Sequence, residues 1–146
     1  MFSIDILETP SLGNRSYLAA DGRVGVVVDP PRDIDRVLAL AARRGVRIAQ
    51  VVETHGHNDM VGGGLELARG LGAGYATPAG DGAEFDRQPL TDGDVLEIGA
   101  MRLRVLHTPG HTHHHVSYAL EDAAGTAQAV FTGGSMLFGA TGRTDL

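Results

Sequence analysis

The order in which strand-like and helix-like patterns succeed one another is the strongest restraint on how this chain can fold. Three short β-type runs, 4–7, 17–19 and 24–28, are separated by the turn signals Gly13-Asn14 and Asp21-Gly22, and Pro30-Pro31 stops the third. A helix then starts near Asp33, a candidate N-cap, with Ile34, Val37, Leu38 and Ala41 at i, i+3, i+4 and i+7. Arg43-Arg44 occupy its last turn and Gly45 ends it. The apolar run 46–52 reads as a buried strand leading into the polar loop Glu53-Thr54-His55-Gly56-His57-Asn58-Asp59. A second helix fits 62–71, with Leu67, Ala68 and Leu71 as its apolar stripe. Its opening Gly62-Gly63-Gly64 costs about 1 kcal/mol per interior glycine, which predicts close backbone packing there. Strands follow at 74–77, 95–98, 101–106, 116–120 and 129–132, with a hairpin at Gly99-Ala100. The pattern is mixed α/β, without the regular alternation of a doubly wound parallel sheet.

Length and composition narrow the class. The 146 residues make one domain at roughly 100–200 residues per domain. Glycine fills 21 positions and aromatics only 5%, so the core must come from Val, Leu, Ile and Ala. A net charge of −6 argues against nucleic-acid or anionic-membrane partners, which need a clustered basic surface. Without cysteine there is no disulfide, thiol nucleophile or thiolate zinc site. No apolar run approaches the roughly 20 residues that span a bilayer. The start Met1-Phe2-Ser3-Ile4-Asp5 does not read as a signal peptide. A cytoplasmic domain is the expectation.

The chemistry is carried by histidine: all seven lie between positions 55 and 115. His55 and His57, at i and i+2 on a bent loop, can face one ion, and Asp59 offers an oxygen ligand or a partner for a ring N–H. Thr108-Pro109-Gly110-His111 presents another imidazole from a second strand end, 56 residues beyond His55. Three imidazoles from two strand-end loops meet the three-ligand pattern of a catalytic metal with an open position. A surface loop that merely happens to be polar is the ordinary alternative for either motif alone.

These two motifs resemble the metal motifs of the metallo-β-lactamase superfamily. The tail, Val130-Phe131-Thr132-Gly133-Gly134-Ser135 and then Gly142-Arg143-Thr144-Asp145-Leu146, is similar to the persulfide dioxygenase and rhodanese-linked branch, with glyoxalase II more distant. The resemblance spans essentially the whole chain. It implies an αββα sandwich, here its N-terminal portion, with the metal at the mouth between two sheets. It also implies His55, His57 and His111 as ligands of one divalent metal, Fe(II) or Zn(II). Three departures stand out. Met60 replaces the histidine that usually follows the motif's Asp, Gly134 replaces a metal-binding carboxylate, and the sequence ends at Leu146 where relatives continue. A one-metal site is therefore expected.

Of the three histidines after Thr112, His115 is a candidate to support the metal site, while His113 and His114 read as solvated and His107 as structural. Arg143 and Asp145 form a local ion pair or meet an anionic substrate. Met136, Leu137 and Phe138 read first as core and second as a substrate lining. Three functions follow. The first is a mononuclear Fe(II) persulfide dioxygenase. The second is a zinc hydrolase of thioester-like substrates, in which Asp59 orients or deprotonates water. The third is a non-catalytic metal-binding or scaffold fragment. Self-association, or pairing with a missing C-terminal segment, is expected from an otherwise open apolar face.

Overall fold

The computed structural model describes residues 2–56 and 61–144. Two β-sheets face each other. In chain order the first comprises β1 (Ser3–Thr9), β2 (Asn14–Asp21), β3 (Val24–Val28), β4 (Arg47–Val52), β5 (Gly74–Pro78) and β6 (Gln88–Leu90). These also lie side by side in that order. The first three are antiparallel and the remainder run parallel to β3. The parallel register needs crossovers: α1 (Ile34–Arg44) joins β3 to β4 and α2 (Gly64–Leu71) joins β4 to β5, while β6 follows β5 without a helix. The second sheet is an antiparallel meander of β7 (Val95–Ile98), β8 (Met101–His107), β9 (Val116–Glu121) and β10 (Ala127–Phe131). A small hairpin, β11 (Met136–Leu137) with β12 (Ala140–Thr141), follows.

Strand alternation sorts the apolar residues onto two faces. Val26, Val28 and Val52 meet Met101, Leu103, Val105, Tyr118 and Leu120 between the sheets. Val27 and Val51, one residue out of phase, meet Val37, Leu40 and Ala41 of α1 and Leu67 and Ala68 of α2. Both named helices thus pack on the first sheet. The result is helix, sheet, sheet: the layers of the N-terminal portion of an αββα sandwich. No described helix is long and apolar enough to cross a membrane.

Local expectations hold with informative exceptions. Both helices end on left-handed glycines, Gly45 and Gly72. Asp33 occupies the N-cap of α1, but its side chain makes no capping hydrogen bond. Leu71, assigned to the buried stripe of α2, is 44% exposed. The glycines at the start of α2 are explained by contact: a Cβ on Gly64 would lie 2.1 Å from Glu53 Oε1, and one on Gly63 2.3 Å from the Pro31 carbonyl. The strand β6 has no counterpart in the sequence expectation. Nor does the β11–β12 hairpin, and here core packing is overturned. Met136 and Leu137 are 64% and 52% exposed and Phe138 is fully exposed.

Candidate metal-binding site

Parallel pairing of β3 with β4, in register at Val28 and Val52, brings their carboxyl ends side by side. Ligands in α/β sheets bind at such ends. Asp29 follows β3, and Glu53-Thr54-His55 follows β4. The Asp29 carboxylate accepts the Thr54 backbone N–H at 2.7 Å and the Thr54 hydroxyl at 2.7 Å. With its hydrogen committed to Asp29, the Thr54 oxygen accepts from Nδ1 of His55 at 2.8 Å. That order of donation leaves the lone pair of His55 on Nε2.

The second sheet closes on this loop from the other side. Val116 N–H donates to the Thr54 carbonyl at 2.8 Å, and the buried Tyr118 hydroxyl donates to the Glu53 carbonyl at 2.6 Å. Burial, followed by the nearby Asp29 and Glu53, drives the Tyr118 phenol well above its ordinary pKa and keeps it a donor. The Tyr75 phenol is raised too, by burial first and then by Glu53. From the loop between β8 and β9, His111 donates Nδ1–H to the Arg143 carbonyl at 2.9 Å. A carbonyl can only accept, so His111 likewise keeps its lone pair on Nε2.

His55 and His111 sit edge to face with ring centroids 4.8 Å apart. His115, fully buried, stacks on His55 at 5.0 Å and has Nδ1 within 2.9 Å of Thr108 Oγ1, which also meets Ser117 Oγ. The backbone of 133–142 closes the cluster. A Cβ on Gly134 would lie 2.6 Å from His111 Nε2, one on Gly133 2.2 Å from Thr54 Oγ1, and one on Gly142 1.7 Å from the Gly134 carbonyl. His55, His111, Gly133, Gly134 and Gly142 line a cavity of about 670 Å³ that also touches Asn14, Arg15, Asp29 and Arg143.

The structure therefore brings His55, His111 and His115 together and places Arg143 on the same cavity. His57, Asp59 and Met60, like Asp145, lie outside the described residues. His107, His113 and His114 are exposed. Arg143 contributes its main chain to His111, a role no side-chain reading supplies. Asp29 and the Thr54 hydroxyl were missed as participants. The available signal was the strand–helix–strand order, which favours parallel neighbours and so brings the residues after β3 and β4 together. Two imidazoles, each held at Nδ1 and presenting Nε2, fit a divalent metal of the zinc or iron class. Among the described residues no group of three or more His, Cys, Asp or Glu is placed to hold an ion.

Fold and site define a two-sheet sandwich with a pair of buried histidines lining a cavity at strand ends. The family model of the metallo-beta-lactamase superfamily matches residues 11–146, and the chain belongs to that superfamily. It is 39% identical over 122 residues to a hydroxyacylglutathione hydrolase of Anaeromyxobacter dehalogenans (strain 2CP-C), covering 83% of this chain and 48% of that one. Among solved structures it resembles a metallo-beta-lactamase of Staphylococcus aureus subsp. aureus COL, with a TM-score of 0.90, 28% identity, and coverage of 99% of this chain and 45% of that one. It also resembles ETHE1 from Myxococcus xanthus, with a TM-score of 0.88, 29% identity, and coverage of 99% and 62%. The chain spans about half the length of the curated relatives it matches.

Proposed function

We propose that this chain carries the metal-holding part of a hydrolase that cleaves acyl groups from a thiol carrier. The observation that supports this most is the pair of buried imidazoles, His55 and His111, each held at Nδ1 at the floor of the cavity. The hydroxyacylglutathione hydrolase relatives point to the same chemistry. Two described ligands and His57 make the three-imidazole set suited to Zn(II). Such an ion supplies Lewis acidity toward an acyl carbonyl and a water acidic enough to react near neutral pH. Asp29, through Thr54, keeps the lone pair of His55 on Nε2, and the Arg143 carbonyl does the same for His111. His115 packs behind His55 and restrains its ring. Asp59 is the proposed group that orients or deprotonates the attacking water. On this reading the small-molecule partner is a thioester, and a second copy or further segment of chain covers the open sheet. Sedimentation at micromolar concentration tests the latter, and a monomer counts against self-association.

A second reading, an Fe(II) persulfide dioxygenase, is favoured by the Gly142-Arg143-Thr144 tail and the likeness to ETHE1. It requires a carboxylate beside two histidines. Gly134 supplies none, so Asp59 would have to. The two readings separate by metal content of anaerobically purified protein, with His111→Ala as control. About one zinc per chain, lost in the variant, together with thiol release from an S-acylglutathione, supports the hydrolase. About one iron, with oxygen uptake on a persulfide, supports the dioxygenase instead. No metal in either protein removes both and leaves a scaffold fragment.

A further inference from the structure

The cavity has a second end that the histidines do not explain. Its rim is formed by Leu12, at the β1–β2 turn, facing Met136, Leu137 and Phe138 of the β11–β12 hairpin. Leu12 is 58% exposed and Phe138 wholly so. The hairpin is fixed in place: Thr132 Oγ1 donates to the Met136 carbonyl at 3.2 Å, and Gly142 N–H donates to the Ser135 carbonyl at 3.2 Å. Three large apolar side chains are thus held in water by an ordered hairpin, opposite a fourth on the β1–β2 turn. Exposed apolar clusters of this kind mark surfaces that bind something. The same residues line the cavity whose floor is His55 and His111, so a ligand reaching the histidines lies along them. A patch for a protein partner has no need to converge on a buried floor. About 670 Å³ falls in the usual range for a small-molecule site.

We propose that this rim is an acyl-chain subsite, and that the chain's substrates are thioesters of apolar, medium-length acyl groups rather than of small hydroxyacyl groups. The inference rests on the thioester reading of the histidine site. The acyl chain lies between Leu12 and the hairpin, with its carbonyl toward the histidines.

Calorimetric titration of the intact chain with two unreactive probes tests this. They are ketone isosteres, with CH₂ in place of sulfur, of decanoyl- and acetyl-N-acetylcysteamine. The decanoyl probe should bind about ten-fold or more tightly than the acetyl probe, since each buried methylene adds affinity. In Leu137→Ser/Phe138→Ser, both at exposed positions, the preference should fall to about two-fold or less. Equal binding of the two probes to the parent chain overturns the subsite. A preference that persists in the double variant overturns its location. Loss of self-association in that variant, without any chain-length preference in the parent, assigns the patch to a subunit contact instead. Because the probes do not react, failure of the hydrolase reading shows separately: no thioester is turned over while the decanoyl preference stands.

Discussion

Asp29 combines two unusual properties. Its φ is +48°, the one positive value at a non-glycine among the described residues, and its carboxylate is buried against Thr54. Asp and Asn tolerate the left-handed region better than other residues because their short side chains bond locally. Asp29→Asn therefore keeps the backbone while changing the acceptor that orders Thr54 and His55. Zinc affinity, measured by competition with a chromophoric chelator, should fall about 10- to 100-fold. Gly134→Ala tests the opposite face of the site. Its new Cβ would lie 2.3 Å from His111 Cδ2, so the ring that bonds the Arg143 carbonyl must shift to make room. Metal affinity should fall about ten-fold or more while far-UV circular dichroism is unchanged. The histidines themselves were legible because spacing and strand-end placement speak for a metal. Asp29 lies 25 residues before Thr54, and only the parallel register of β3 and β4 makes them neighbours.

Strand-scale packing decides how firmly the histidine loop is held. Tyr118 of β9 reaches across the interior to the end of β4, so Tyr118→Phe leaves the Glu53 carbonyl without that donor. A loss of about 1–3 kcal/mol is expected in urea unfolding, the usual cost of a buried group left unsatisfied. On the outer face of the second sheet, Arg104 of β8 makes a two-pronged pair with Glu121 of β9 at 2.7 and 3.1 Å. The hydrogen bond from Arg104 holds the Glu121 carboxyl below its ordinary value. The unfolded chain therefore takes up this proton first on acidification. The stabilisation is present above the ordinary glutamate value and is lost as pH falls through the lowered one. Glu121→Gln should flatten the acid limb of a stability-against-pH curve in that window. β8, seven residues with Met101, Leu103 and Val105 alternating with Arg102 and Arg104, was readable from sequence, as was the wholly apolar run of β3. The strand β6 was not, because three residues including Pro89 carry no periodicity, and nothing local says that Gln88–Leu90 will pair with β5. The β11–β12 hairpin was obscured by its own apolarity, since Met136-Leu137-Phe138 reads as core until the fold leaves it outside.

For the molecule as a whole, an ion held by the proposed site would couple binding to folding. An ion that binds only the folded chain stabilises it by about 2.7 kcal/mol at a hundred-fold excess over its Kd. Removing it with a chelator should lower the thermal midpoint, and His111→Ala should abolish that difference. A midpoint indifferent to chelator in the parent chain would argue that the histidines hold no ion. The order of elements gave only a mixed α/β class; the layered sandwich was an expectation from the resemblance of the two histidine motifs and the tail. That the sheets would bring His55 and His111 to a single opening, with His115 buried behind them, depended on Val116 and Tyr118 clasping the 53–55 loop, a contact between segments about 60 residues apart.

The wall that Gly133, Gly134 and Gly142 build beside His111 is made of main chain. A surface without side chains has no rotamers to freeze, so a ligand seated against it loses none of the conformational entropy that ordering a flexible residue costs. The opposite rim, with Met136 and Phe138 free in solvent, must be ordered by whatever binds there. Changes in what fits should therefore arise readily by substitution on the rim, and on the glycine side only by displacement of the chain itself.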